Sequence, residues 1–292
     1  MRILLLGAGY SAREFARQIA NEADWIAGTT RDKERFGALE RAGIRPVHFD
    51  GLKIEPELAE VMAQATHVVH SAAPGEGGDP LLRHLTEPIT EAMPNLLWAG
   101  YYSTVGVYGN HDGDWVDEES ECRATSRRGR ARIDAERDWI AAGETAGVAV
   151  AVLRLAGIYG PGRNAFTKLE SGVAHRIVKP GQVFSRIHVD DIAGFTRHLA
   201  LGRTGGIFNL ADDEPAPPQD VIAFAAGLMG VPPPPETPFE DAELSAMARS
   251  FYADSRRVSN ARLRASGYTL CFHNYRDALT AMWREGNWRG RS

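Results

Sequence analysis

The chain has 292 residues, 43% hydrophobic and 24% charged, with a formal net charge of -5. That is the composition of a folded globular chain, and its negative charge argues against a general nucleic-acid surface. Cys122 and Cys271 are too few for a disulfide framework or a metal knuckle, no His/Cys/Asp cluster has metal-ligand spacing, and no apolar stretch reaches the roughly 20 residues that span a bilayer. The apolar start is too short for a signal peptide, so a cytoplasmic location is expected.

Ile3-Leu4-Leu5-Leu6 is an apolar run that stops at glycines, the pattern of a buried parallel strand. A helix is predicted over 12–20, with Phe15, Ala16 and Ile19 on one face. Strands follow over 25–30 and 45–49, then a helix over 58–65 and a strand over 66–70. A fifth strand is predicted over 95–102, a charged helix over 127–142 and a sixth strand over 148–155. This alternation predicts an α/β fold, a Rossmann-type doubly wound parallel sheet with helices on both faces. Beyond Gly160-Pro161-Gly162 the pattern gives a helix over 165–175, a strand over 183–189, a helix over 190–201 and a strand over 206–210. A helix over 219–229 lies between two proline tracts.

Gly7-Ala8-Gly9-Tyr10-Ser11-Ala12 matches G-x-G-x-x-G/A between a strand and a helix. Glycines there let the backbone approach a pyrophosphate, whose charge the helix N-terminus favours. The second strand ends in Thr29-Thr30-Arg31, with an acidic residue, Asp32, only afterwards. The planar fork of Arg31, a hydroxyl from Thr30 and Arg35 one turn on suit a ribose 2'-phosphate, so NADP(H) is expected over NAD(H). Asp50, after the third strand, is counted with this cofactor set.

Several segments together resemble the extended short-chain dehydrogenase/reductase family, which includes nucleotide-sugar epimerases and dehydratases. They are the glycine loop, His70-Ser71-Ala72-Ala73-Pro74, Ser103-Thr104-Val105-Gly106-Val107-Tyr108-Gly109, the run from Arg154 to Gly162, and Arg186-Ile187-His188-Val189-Asp190-Asp191. The resemblance implies a cofactor domain of residues 1–160 plus 187–211, and a small C-terminal α/β substrate-binding cap of 161–186 plus 212–292. It implies that Ser71, Ala72 and Ala73 line the cofactor ribose, and that Thr104, or Ser103 beside it, hydrogen-bonds the reacting oxygen. Such cofactor domains often dimerise through helices, and the sequence leaves a homodimer open.

The family's Y-x-x-x-K motif is replaced. Counting back from Glu136 puts Arg132 at the lysine and Arg128 at the tyrosine. Arg132 retains the charge to hold a ribose, but a guanidinium does not exchange protons at ordinary pH. An ordinary Arg132–Glu136 ion pair on a solvated helix face is the alternative. Tyr102 and Tyr108 are the nearby phenols. On the substrate side Gly157 and Phe184 stand where relatives place polar groups, leaving Arg163 and Arg186 as candidates. His188 is expected to be a packed core residue, and Asp190 to cap the next helix. The pattern is that of an atypical subgroup. It suggests an NAD(P)-dependent epimerase/dehydratase-like oxidoreductase for a small polar or anionic metabolite, or else a non-catalytic NADP(H)-binding sensor.

Overall fold

The computed structural model describes residues 1–75 and 77–290. They form two compact units. The first comprises Met1–Val107, Thr125–Arg154 and Ile192–Phe208, and the second Tyr108–Ala124, Leu155–Asp191 and Asn209 onward.

The large sheet is built from β1 (Arg2–Leu6), β2 (Trp25–Thr30), β3 (Arg45–His48), β4 (His67–His70), β5 (Trp98–Thr104), β6 (Ala149–Leu155) and β7 (Gly206–Leu210). Its spatial order is β7-β6-β5-β4-β1-β2-β3. The pairs β1–β2, β2–β3, β1–β4 and β4–β5 are parallel. Chain order therefore reverses between β1 and β4, and a crevice opens at their carboxyl ends. Ile3, Leu4, Leu5 and Leu6 are fully buried, each contributing about 1.5–3 kcal/mol of apolar burial. Helices α1 (Tyr10–Ile19), α2 (Phe36–Arg41), α3 (Pro56–Gln64), α4 (Ile89–Ala92) and α5 (Arg127–Ala146) connect the strands. Phe15, Ala16 and Ile19 of α1 are buried, as their spacing predicts. The fifth strand starts three residues later than expected and ends two later, because Pro94 and Asn95 form a turn.

A buried ion pair fastens α5 to the sheet. Glu136 on α5 accepts from Arg154 on β6, with Nη2 at 2.8 Å and Nε at 3.2 Å. The Ser103 hydroxyl on β5 donates to the same carboxylate. The sequence offers Arg132 as the partner of Glu136; the structure gives that place to Arg154.

In the second unit, helices Ala165–Glu170, Pro218–Met229 and Tyr275–Glu285 surround a core containing Phe166, Ile222, Tyr275 and Met282. Three short parallel pairs complete it: Gly157–Tyr159 with Arg186–His188, Arg176–Val178 with Glu236–Pro238, and Trp115–Val116 with Arg257–Val258. The helix expected over 165–175 stops at Glu170, where Gly172 turns left-handed (φ 71°), and a strand follows at Arg176. The strand expected over 183–189 shortens to three residues. Asp190 lies in the first turn of helix Val189–Gly202, and its neighbour Asp191 receives the backbone N–H groups of Cys271 (2.6 Å) and Phe272 (3.2 Å).

Truncating one member of a buried pair strands the other charge at a cost of about 3–5 kcal/mol, whereas replacing both is often near neutral. Urea unfolding of Glu136→Ala is therefore expected to show a loss in that range. The double variant Glu136→Leu/Arg154→Leu is expected to lose less than either single change. Additive losses would show that the two residues act independently.

Candidate functional site

The crevice at the ends of β1 and β4 is a groove of about 410 Å³. Residues 7–9, 29–31, 35, 49–51, 71–73, 75, 80 and 83 line it. Gly7 sits at φ 89°, and a Cβ there would come within 3.1 Å of both the Ala72 nitrogen and the Ser71 hydroxyl. Only glycine allows this turn to pass so near the loop after β4. The turn is tied on both sides. Gly7 N–H donates to Thr29 Oγ1 at 2.8 Å, Ala8 N–H donates to the Thr29 carbonyl at 2.8 Å, and the Ser71 hydroxyl donates to the Gly7 carbonyl.

Gly9 is the N-cap of α1, with no side-chain capping bond, and nothing lies within 4 Å of where its Cβ would be. An uncapped helix N-terminus facing open space fits a pyrophosphate. Ser11 and Ala12 are buried in the first turn, so their part in such a site, with Tyr10, is to form the helix start. Arg31 and Arg35, both exposed, also line the groove. Thr30 Oγ1 accepts from Asp32 N–H at 3.2 Å, and Asp32 itself accepts from Glu34 N–H at 2.9 Å. The one carboxylate next to Arg31 in sequence is thus bound to its own loop. Asp50 lines the groove while accepting from Leu52 N–H at 2.9 Å.

The other predicted residues fall elsewhere. Thr104 ends β5, partly exposed, and its Oγ1 accepts from Gly106 N–H at 3.1 Å. Ser103 is corrected as an alternative to Thr104, because it is buried and its hydroxyl is committed to Glu136. Arg132 lies along β5, donating to the Tyr102 carbonyl at 2.6 Å and the Tyr101 hydroxyl at 3.3 Å. Arg128, one turn earlier, is exposed. Thr104, Arg128 and Arg132 are not among the residues lining the groove. Tyr102 and Tyr108 are corrected as proton donors. Both are buried, with their hydroxyls bonded to Thr196 (2.9 Å) and Asn209 (2.7 Å) respectively. Burial also raises the Tyr102 pKa.

Within the second unit, Arg163 is exposed at a turn that pairs it with Gly160. Arg186 donates to the carbonyls of Phe184 and Ala216 at 2.8 and 2.9 Å. His188 is the packed residue its motif suggests, 5.3 Å from the Tyr159 ring and 4.5 Å from that of Phe272.

Sequence reasoning missed a buried polar node behind the groove. His70 ends β4, and its Nε2 lies 3.1 Å from Asp79 Oδ2. Trp139 of α5 donates its indole N–H to the same oxygen at 3.0 Å. Asp79 Oδ1 accepts from the N–H groups of Leu81 (2.9 Å) and Leu82 (3.0 Å). This node anchors the loop that carries residues 71–73, 75, 80 and 83 of the groove wall. Burial alone would raise the Asp79 pKa; the His70 contact, the Leu82 N–H and the indole outweigh it and hold it at about 2.

The model of the NAD dependent epimerase/dehydratase family matches residues 3–211. The chain belongs to that family. A functionally unknown conserved protein from Silicibacter pomeroyi is 42% identical, with a TM-score of 0.87 over 97% of this chain and 98% of that one. MoeE5, in complex with UDP-glucuronic acid and NAD, is 19% identical, with a TM-score of 0.77 over 98% and 99%. The human epimerase family protein SDR39U1, with NADPH, is 17% identical, with a TM-score of 0.72 over 97% and 99%.

A carboxyl whose folded pKa lies below its ordinary 3.8 adds stability above that pH and loses it as pH falls toward the folded value. The Asp79 contribution, on the order of 2 kcal/mol, is therefore expected to disappear between about pH 4 and pH 2. Unfolding titrations of wild type and Asp79→Asn across that range check this. The variant should be less stable at neutral pH, and the difference should shrink on acidification. A gap that is constant with pH would rule out the assigned role.

Proposed function

We propose that the protein is an NADP(H)-binding, epimerase/dehydratase-like oxidoreductase acting on a small polar or anionic metabolite. The observation that carries this is the groove. It combines a glycine turn open at an uncapped helix N-terminus with two arginines at the end of β2, beside an aspartate already engaged by its own loop. NADPH in the human relative and NAD with a nucleotide sugar in MoeE5 support a nicotinamide cofactor. When bound, the cofactor exchanges a hydride with a substrate carbon.

Each residue then has a stated task. Gly7, Gly9 and the start of α1 receive the pyrophosphate, with Ser71, Ala72 and Ala73 beside the ribose. Thr30, Arg31 and Arg35 receive the 2'-phosphate, and Asp50 faces the adenosine end. Thr104 orients the reacting oxygen and relays its proton through water. Arg132 gives electrostatic support, as does Arg128 from the same helix. Arg163 and Arg186, in the proposed cap of residues 161–186 and 212–292, are the candidates for the substrate's anionic group.

The burial of Ser103, Tyr102 and Tyr108 favours a second reading, a cofactor-binding sensor without turnover. NADPH consumption against aldehydes, ketones and sugars separates the two. An enzyme shows turnover that Thr104→Ala lowers, and a sensor shows none.

Arg31→Ala is expected to weaken NADPH binding about tenfold to over a hundredfold, the worth of a charge-assisted bond to phosphate, and to leave NADH binding nearly unchanged. Calorimetry with both cofactors measures it. Equal losses for the two would mean that Arg31 acts through structure and not through the phosphate.

A further inference from the structure

A third arginine lines the same groove from a different loop. Arg83 lies in the short 3-10 turn Leu82–His84, after β4, in a part of the chain that no motif covers. Its guanidinium donates to the carbonyl of Gly51, in the loop after β3, and its Nε lies 3.0 Å from His84 Nε2. The side chain thus reaches from one wall of the groove to the loop beside Phe49 and Asp50.

Glycines make room for it. A Cβ on Gly77 would stand 2.9 Å from Arg83 Nη1 and 3.6 Å from its Cδ, and a Cβ on Gly75 would stand 4.0 Å from Nη1. Gly75 and Gly78 close a tight antiparallel bridge around this space. Gly77 therefore leaves space for the guanidinium beside the groove. The hydrogen-bonding partners of Arg83 are the Gly51 carbonyl and the His84 ring. No carboxylate among the described residues forms an ion pair with Arg83, nor with Arg31 or Arg35. Asp50, the one acidic residue in the lining among the described residues, is engaged by Leu52 N–H. Three cations lining one groove, none paired with a carboxylate among the described residues, suit a dianionic group.

We propose that Arg83 is a specificity-determining residue for the cofactor, taking the adenosine 2'-phosphate from the loop after β4 while Arg31 and Arg35 take it from the loop after β2. This rests on the reading of the groove as an NADP(H) site. It adds that the phosphate is gripped from two loops. To reach the phosphate, the guanidinium exchanges one neutral acceptor, the Gly51 carbonyl, for a charged one.

The test uses the two adenosine nucleotides that differ only at the 2' position, 2',5'-ADP and 5'-AMP, titrated calorimetrically into the intact protein. For Arg83→Ala, 2',5'-ADP is expected to bind about tenfold to a hundredfold more weakly, with 5'-AMP changed less than about twofold. Arg83→Gln keeps a donor for the Gly51 carbonyl and so guards against simple loss of the loop. It is expected to lose 2',5'-ADP affinity as the alanine variant does. Arg83→Lys, which keeps the charge without the fork, is expected to lose less. Unchanged 2',5'-ADP binding in the Arg83 variants, with wild type still preferring 2',5'-ADP, overturns the role of Arg83 and leaves the NADP(H) reading intact. Equal weakening of both nucleotides also overturns it, since Arg83 would then only brace the two loops. If wild type itself binds 5'-AMP as tightly as 2',5'-ADP, the NADP(H) reading falls and this proposal falls with it.

Discussion

The backbone of Gly7 passes so close to the loop after β4 that a single added carbon would touch both Ser71 and Ala72. The rest of the groove depends on that approach. It brings the carboxyl ends of β1 and β4 together at the point where strand order reverses, and it starts α1 in the direction that leaves Gly9 facing open space. The Thr29 hydroxyl, accepting from Gly7 N–H on one side, and the Ser71 hydroxyl, donating to the Gly7 carbonyl on the other, lock the turn. The site is thus formed by backbone geometry that two side-chain hydroxyls pin in place.

Buried polar groups hold the walls in place. Asp79 gathers His70, Trp139 and two backbone N–H groups, so the glycine-rich loop after β4 has a fixed root despite its composition. Glu136 gathers Arg154 and Ser103, so α5 is fixed against β5 and β6. Both nodes join one element of α5 to the sheet side of the first unit. Such nodes tolerate little change, because losing one partner leaves another polar group buried without compensation.

Much of this was legible in the sequence. Strands buried on both faces read as apolar runs, and G-x-G-x-x-A between a strand and a helix marks the turn at Gly7. The family follows from several motifs in fixed order. Less legible were contacts between residues far apart in sequence. Ser103 carries a motif hydroxyl, yet tertiary packing turns it to Glu136. Arg132 and Glu136 have helical pairing distance, but Arg154 on a neighbouring strand competes better for the carboxylate. Helix Tyr275–Glu285 carries its own cap signals, since Asn274 accepts from Arg276 and Asp277 N–H and Gly286 turns left-handed at its end. Arg83 and Asp79 lie in a stretch whose glycines and prolines read as featureless loop, and only the fold gives them partners.

The central claim is that this groove receives a dinucleotide, its pyrophosphate against the turn of residues 7–9. A crystal structure of the protein grown with NADPH tests that most directly. The account predicts density running from the start of α1 past residues 71–73, with the pyrophosphate within hydrogen-bonding reach of the first-turn N–H groups. Nucleotide density elsewhere on the molecule, with the glycine turn left to solvent at saturating NADPH, would contradict it.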